Sequence, residues 1–170
     1  MIEAKRIKGQ VWSIDFITGM SIFLLVLLIA AKMLLPLAPS QEYNVAYRDA
    51  LHISDALLSS GYPAQWNSTN AIILGIAQNN RIDDTHLNTI RKISYDRTKS
   101  LFHISNEYLF FFQNSTQIIN TGQCVYGYNI PTSSDCTPQL GTINYDNMIK
   151  MDRIVIYNST MVRLTVYVWN

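Results

Sequence analysis

The sequence predicts an α+β protein in which a long N-terminal helix, first transmembrane and then amphipathic, packs on a C-terminal antiparallel β-sheet. Three patterns within its 170 residues support this fold class. An apolar run occupies 16–37, apolar residues recur at helical spacing over 42–58, and apolar and polar residues alternate over 162–169. Spacings of three and four residues are typical of a one-sided helix, and alternation is typical of a half-buried strand.

The apolar run from Phe16 to Leu37 has the length of a membrane-spanning helix. About 20 helical residues, at about 1.5 Å rise each, match the roughly 30 Å hydrocarbon layer of a bilayer. Basic side chains precede the run at Lys5, Arg6 and Lys8. Because positively charged flanks stay in the cytoplasm, we expect a single span of the cell membrane, with the N terminus inside and the C-terminal domain outside.

The segment from Lys8 to Phe16 carries a further signal. It places a small, polar Gly-Gln junction on the basic side of the apolar run, whereas an ordinary secretory signal is cleaved after its apolar region. This arrangement resembles the class III signal peptide of archaeal type IV pilin-like proteins, which are substrates of prepilin peptidase. The resemblance implies cleavage after Gly9, which would leave Gln10 as the mature N terminus and keep the apolar helix.

The same resemblance implies a division of the chain and an assembly contact. The parts are a basic leader over 1–9, a transmembrane or filament-core helix over 10–39, and an extracellular pilin-like domain over 40–170. Asp15 would contact the N-terminal amine of a neighbouring subunit. Bacterial pilins carry a glutamate at the position of Ile14, and displacement by one residue turns the carboxylate by about 100° around a helix. Alternatively, Asp15 lies among lipid headgroups without a partner.

Lys32 and two prolines mark the outer end of the run. Lys32 can extend its long side chain toward the membrane surface, or pair with Asp15 of another chain in a bundle. Pro36 and Pro39 remove backbone donors and predict a kink where the helix leaves the membrane.

The charges of the domain over 40–170 are nearly balanced. It holds nine basic and ten acidic side chains and no basic stripe. Nucleic-acid binding would need a positive surface, so we expect no nucleic-acid partner.

The two cysteines, Cys124 and Cys136, are both predicted to lie outside the cell. An oxidising location permits a disulfide, and the closed loop of about a dozen residues would contribute roughly 3 kcal/mol in the chain-entropy model. A metal site would need further ligands, and the three histidines lie elsewhere in the sequence.

Three Asn-x-Ser/Thr sequons begin at Asn67, Asn114 and Asn158. None has proline in the middle, and each lies in a predicted turn or strand end, where an N-linked glycan could attach. Archaeal surface filaments are commonly glycosylated at this motif, so the resemblance implies that at least one sequon is modified.

An amphipathic helix is predicted over 42–58, the second half of the long N-terminal helix. Its apolar face comprises Tyr43, Ala46, Tyr47, Ala50, Leu51, Ser54, Leu57 and Leu58. Gly61 can take the left-handed conformation that ends helices, and Pro63 continues the turn. We expect Trp66 to be buried against the helix just completed, and an exposed Trp66 used for adhesion is the alternative.

The middle of the chain predicts a strand and two short helices. The apolar run over 71–77 indicates the strand. Asp83 or Asp84 caps a helix that continues to Ile93, and a second helix covers 95–102.

The remaining strands are predicted over 107–113, 118–128, 153–157 and 162–169. The first is strongly aromatic, and the last two form a hairpin with a turn at 158–160. A hairpin needs a layer over its apolar face, and the helix over 42–58 is the available cover.

Enzymatic function finds no support in the sequence. It has no Gly-x-Ser-x-Gly elbow, phosphate-binding loop, His-Glu-x-x-His motif or dinucleotide fingerprint, and no cofactor or metal is expected. Two functions remain. The chain is either a structural subunit of an archaeal type IV pilus-like filament, assembled with other pilin subunits, or a membrane-anchored adhesion module that does not polymerise.

Overall fold

The structure is a computed structural model, which describes the backbone of 3–34 and 41–170 and the side chains of 14–33 and 41–170. The chain forms two compact units, Met1–Ser40 and Gln41–Asn170. The second is called the α+β unit below.

The described part of the first unit is one helix, α1, over Glu3–Leu34. Its segment Ile14–Met33 is long and apolar enough to cross a membrane, and all of its side chains are exposed. Its length and composition suit either a membrane anchor or a signal sequence. The predicted kink at Pro36 and Pro39, and the continuation of the helix through it, lie outside the described residues.

The α+β unit begins with a long helix and ends with a long β-hairpin. Its elements are α2 (Gln41–Leu57), β1 (Ala77–Gln78), β2 (Arg81–Ile82), α3 (Asp84–Ile90), α4 (Tyr95–Phe102), β3 (Glu107–Gln113), β4 (Ile118–Ile119), β5 (Tyr126–Gly127), β6 (Met148–Tyr157) and β7 (Thr160–Trp169).

The seven strands form one sheet in the order β1-β2-β6-β7-β3-β4, with β5 paired to β3. Strands β6, β7 and β3 are antiparallel neighbours and form its centre. The predicted antiparallel arrangement holds for β3, β6 and β7, but the sheet as a whole is mixed, because β2 runs parallel to β6 through Arg81 and Ile156. The parallel pair arises because β2, a strand of two residues just before α3, lies beside β6.

Helix α2 covers the inner face of β6 and β7, as the sequence predicts for the helix over 42–58. Its buried residues are Ala46, Ala50, Ile53, Ser54 and Leu57. Facing them, the alternating residues Val162, Leu164, Val166 and Val168 of β7 are almost fully buried. Burial of apolar side chains between these two layers is the main stabilisation of the unit. Tyr43 and Tyr47, predicted on the buried face, are exposed and stack on each other.

Strand β3 is buried on both faces. Tyr108, Phe110 and Phe112 join the core under α2, while Leu109 and Phe111 point to the outer face of the sheet. A strand covered on both sides has no polar face, which explains why its sequence is continuously apolar and aromatic.

The strand predicted over 71–77 is wrong. Apart from one isolated bridge, only Ala77 joins a strand. The N–H of Ile76 donates to the carbonyl of Leu57, and the N–H of Ala77 to that of Ser59, each at 3.0 Å. The second half of the segment, Leu74 to Ala77, is buried beside the end of α2, where its amides satisfy carbonyls at and just after the helix terminus, whereas Ile72 and Ile73 are exposed.

Other element boundaries also differ from prediction. Strand β6 begins at Met148, five residues before the predicted start at Arg153. The segment 118–128 forms two short strands, β4 and β5, rather than one. Helix α3 ends at Ile90, and Ile93 is buried by the turn that follows. The predicted cap is confirmed, because the Asp83 carboxylate accepts a hydrogen bond from the N–H of Thr85 at 2.7 Å.

Candidate functional site

The apolar surface of α1 is a candidate interaction site. Apolar side chains point in every direction between Ile14 and Met33, and Phe16 is 67% exposed. A helix that is apolar all round is stable only in lipid or among other apolar helices.

The two charged residues of this segment stand far apart. Asp15 and Lys32 are exposed, and neither forms an ion pair with another described residue. Seventeen residues at about 1.5 Å rise separate them by about 25 Å along the helix. They therefore cannot pair with each other within one helix.

The polar hydroxyls near Asp15 are satisfied inside the helix. The Thr18 hydroxyl donates to the carbonyl of Ile14 and the Ser21 hydroxyl to that of Ile17, both at 2.8 Å. Such bonds let Ser and Thr lie in an apolar environment without an unpaired donor. This part of α1 can therefore face lipid or a second helix.

The predicted leader junction lies within the helical backbone of α1. Gly9 and Gln10 both fall inside Glu3–Leu34. Their side chains, and with them the chemistry of the junction, are outside the described residues.

Two of the sequons share one local geometry. The Asn67 side-chain oxygen accepts from the N–H of Thr69 at 2.9 Å and from its hydroxyl at 2.6 Å. The Asn114 oxygen accepts from the N–H and hydroxyl of Thr116 at 2.9 and 3.1 Å. In both turns the asparagine oxygen is held, and the amide nitrogen, the atom that would carry a glycan, points away from these bonds.

The third sequon lies in the turn of the β6–β7 hairpin. Asn158 and Ser159 have φ values of 47° and 61°, and Tyr157 pairs with Thr160 across the turn. Two left-handed residues between paired strands form a type I′ turn. Asn158 is exposed there.

The structure brings two sequons together at one groove. Asn114 and Asn158 both line an open groove of about 500 Å³, together with Asp135, Cys136 and Tyr157. Asn67 does not line it. Glycans on Asn114 and Asn158 would therefore crowd the same end of the sheet.

Cys124 and Cys136 lie at disulfide-bonding distance, with their sulfur atoms 1.98 Å apart. This agrees with the predicted disulfide. The bridged loop carries Val125 and Ile130 onto the outer face of the sheet, where they pack with Trp169 in a second apolar cluster.

A hydrogen-bond network between α4 and β3 was not apparent in the sequence. The Tyr95 hydroxyl donates to Glu107 at 2.5 Å, and the Lys99 ammonium lies 2.7 Å from the same carboxylate. Burial disfavours the ionised carboxylate, but the bonds from Lys99 and Tyr95 outweigh this effect and lower the pKa of Glu107. Burial, together with the bond to Glu107, raises the pKa of Tyr95. The network joins a helix to a strand, and no sequence pattern indicates which of their side chains will meet.

No metal centre is evident in the part of the chain that the structure describes. Among 14–33 and 41–170, no three His, Cys, Asp or Glu side chains are grouped so that they could hold an ion.

Comparison of the chain with protein-family models, with curated proteins and with solved structures gives no match.

Proposed function

We propose that this chain is a non-enzymatic structural subunit of an archaeal type IV pilus-like surface filament, in the role of a minor pilin or pilin-like protein. Prepilin peptidase cleaves it after Gly9, and the mature subunit assembles with other pilin subunits through its N-terminal apolar helix.

The exposed apolar surface of α1 supports this proposal most strongly. The segment Ile14–Met33 is 20 residues long, and its apolar residues are exposed on every side of the helix. The same surface suits the bilayer before assembly and a bundle of like helices afterwards, because both environments remove it from water. The α+β unit, with its helix-covered sheet and exposed sequons, has the properties of an outer surface.

N-terminal processing is the first test. The protein is produced in an archaeal host with and without its prepilin peptidase, and the N terminus is read by mass spectrometry. We expect Gln10 as the mature terminus only when the peptidase is present. Gly9→Val should block cleavage, whereas Gly19→Val, the same change within the span, should not. An intact Met1 terminus on wild-type protein in peptidase-containing cells would refute processing.

The charges in α1 favour a second candidate, a membrane-anchored adhesion module that does not polymerise. Lys32 is exposed without an ion pair among the described residues, and a charge is costly in a dry helical core but tolerable near a membrane surface. The carboxylate of Asp15 is likewise tolerated better near a membrane surface than in a dry helical core.

Localisation separates the two candidates. Immunogold labelling and shearing should find the structural subunit in filaments, whereas an anchored module remains with the membrane fraction. Recovery from membranes alone would contradict the structural proposal. Lys32→Leu adds a graded test, since greater incorporation into filaments than wild type would show that this charge limits packing.

A further inference from the structure

Strand β6 has one edge that is mostly open. One side of β6 pairs along its whole length with β7, from Met148–Trp169 to Tyr157–Thr160. On the other side, β2 meets β6 at Ile156 alone, where the N–H of Ile156 donates to the carbonyl of Asn80 at 2.7 Å. The stretch over 148–154 has no strand beside it among the described residues.

Backbone groups point outward along this stretch. Because Tyr157 and Thr160 close a two-residue hairpin, the odd residues of β6 bond to β7 and the even residues face away. The N–H and C=O groups of Lys150, Asp152 and Ile154 therefore lie on the open edge, and no backbone bond from them is found to the described residues. A row of this kind is a template for another strand.

The side chains along the edge are self-complementary. Lys150 and Asp152 are adjacent on the outer face, with their charged atoms 3.3 Å apart, and Ile154 beyond them is 70% exposed. Met148, at the other end, is half-buried. Read in either direction, the edge offers an apolar residue, two opposite charges and a second apolar residue.

We infer that this edge pairs with the same edge of a second copy of the chain, antiparallel and centred on Met151. In that register Lys150 lies opposite Asp152 of the other copy, and Met148 opposite Ile154. The even residues form the hydrogen-bonded pairs, and Met151 meets itself at a non-hydrogen-bonded pair. The contact is a closed two-fold pair, so it yields dimers and not fibres.

Charge selects this register over its neighbours. An antiparallel pair centred on Asp152 would place two carboxylates opposite each other. A parallel in-register pair would place Lys150 beside Lys150 and Asp152 beside Asp152 of the other copy. Like charges directly opposite destabilise a strand pair, whereas opposite charges stabilise it. Lys150 and Asp152 therefore disfavour pairing with edges that lack complementary charges and favour pairing with the same edge of a second copy.

Cysteine cross-linking of the full chain in detergent micelles tests the pairing. A non-hydrogen-bonded pair brings its Cα atoms to about 4.5 Å, within the range of a disulfide. Met151→Cys should form a covalent dimer under mild oxidation, since the native cysteines are already bonded to each other. Ile154→Cys is the matched control on the same strand, because the two copies of residue 154 would lie about 20 Å apart along the strand.

We expect at least tenfold more dimer from Met151→Cys than from Ile154→Cys. Random collision predicts the reverse, because Ile154 is the more exposed position. Equal yields, or no dimer from Met151→Cys, would overturn the pairing.

A charge experiment tests the register. In the Met151→Cys background, Lys150→Glu places two acids opposite each other and Asp152→Lys places two bases opposite each other, so each variant alone should cross-link at least fivefold less. When the two variants are mixed, opposite charges again face each other at positions 150 and 152. Cross-linking between the two variants should therefore return to the level of the Met151→Cys protein. Cross-linking that is unaffected by either charge change would overturn the proposed register.

Discussion

Gly61 shows how one residue controls the turn after α2. Its φ is +73°, and a Cβ atom there would lie 2.4 Å from the Nε1 atom of Trp66. The Trp66 indole is buried and donates to the carbonyl of Ser60 at 3.1 Å. The sequence predicts both the left-handed glycine and the buried tryptophan. It does not reveal that His86 of α3 stacks on the indole, with ring centroids 4.8 Å apart.

Replacement of Gly61 by alanine should destabilise the α+β unit by roughly 2 kcal/mol. The left-handed conformation costs about 1–2 kcal/mol for a residue with a Cβ, and the contact with Trp66 adds strain. The denaturant midpoint of the full chain in mild detergent, followed by tryptophan fluorescence, measures the loss. Gly141→Ala is the control, because open space surrounds that position. Equal effects of the two changes would contradict this account.

The Glu107 carboxylate predicts a pH dependence of stability. Its pKa in the folded protein lies below the ordinary value of 4.5. A group whose pKa is lowered by folding contributes stability that is present above its unfolded pKa and lost as pH falls through the folded value. We therefore expect the stability advantage of wild type over Glu107→Gln to shrink as pH falls from 5 toward 3.

Urea unfolding of both proteins at pH 6, 4 and 3 measures this difference. Other carboxylates with lowered pKa values, such as Asp83, are present in both proteins and cancel in the comparison. A difference that stays constant across this range would show that the ionisation of Glu107 does not contribute.

At the scale of elements, local signals predict most boundaries. Helix α4 and strand β3 have the predicted bounds, and the hairpin β6–β7 is present with its turn. Each of these elements is indicated by a hydrophobic pattern, a helix cap or turn residues that lie within a few residues of one another in the sequence. The strand predicted over 71–77 is wrong because an apolar run does not distinguish a strand from an irregular segment: Leu74 and Ile76 are buried without strand pairing, and Ile72 and Ile73 are exposed.

The hairpin turn offers a stabilising substitution. Ser159 has a φ of 61°, which glycine adopts at no steric cost. Ser159→Gly should stabilise the unit by about 0.5 kcal/mol, because relief of the left-handed strain exceeds the added chain entropy of glycine. It also keeps the Asn158 sequon intact.

Ser115→Gly is the matched control, since Ser115 is likewise the middle residue of a sequon but its φ is not in the left-handed region. That change should destabilise the unit by about 0.5 kcal/mol, the entropic cost of glycine alone. Thermal unfolding midpoints compare the two variants. If both shift in the same direction, turn strain is not the cause.

At the scale of the whole molecule, the apolar clusters lie within the α+β unit. The main cluster joins α2 to the inner face of the sheet, and the second lies under the disulfide loop on the outer face. The unit therefore holds the contacts needed to fold without α1.

A fragment comprising 41–170 should fold independently under oxidising conditions. We expect a soluble, cooperatively unfolding protein whose thermal midpoint lies within a few degrees of that of the unit in the full chain, since no described core contact is removed. Calorimetry of both proteins measures this. A fragment that shows no cooperative transition would mean that the N-terminal segment contributes to the core.

The sequence by itself determined the properties that depend on neighbours along the chain. These are the long apolar helix, the amphipathic helix after it, the Asp83 cap, the aromatic strand and the final hairpin. Each follows from periodicity, length or turn chemistry, which act over a few residues. The pilin-like role rests on the same local signal at Gly9 and Gln10 and remains a proposal.

Only the tertiary structure decided which surfaces are covered and which are open. It made the sheet mixed, exposed Tyr43 and Tyr47, joined α4 to β3 through Glu107, and left 148–154 of β6 with no second strand beside it among the described residues. These features depend on residues that are distant in the sequence and meet only when the chain packs. Burial and strand pairing are properties of that packing, so no local pattern contains them.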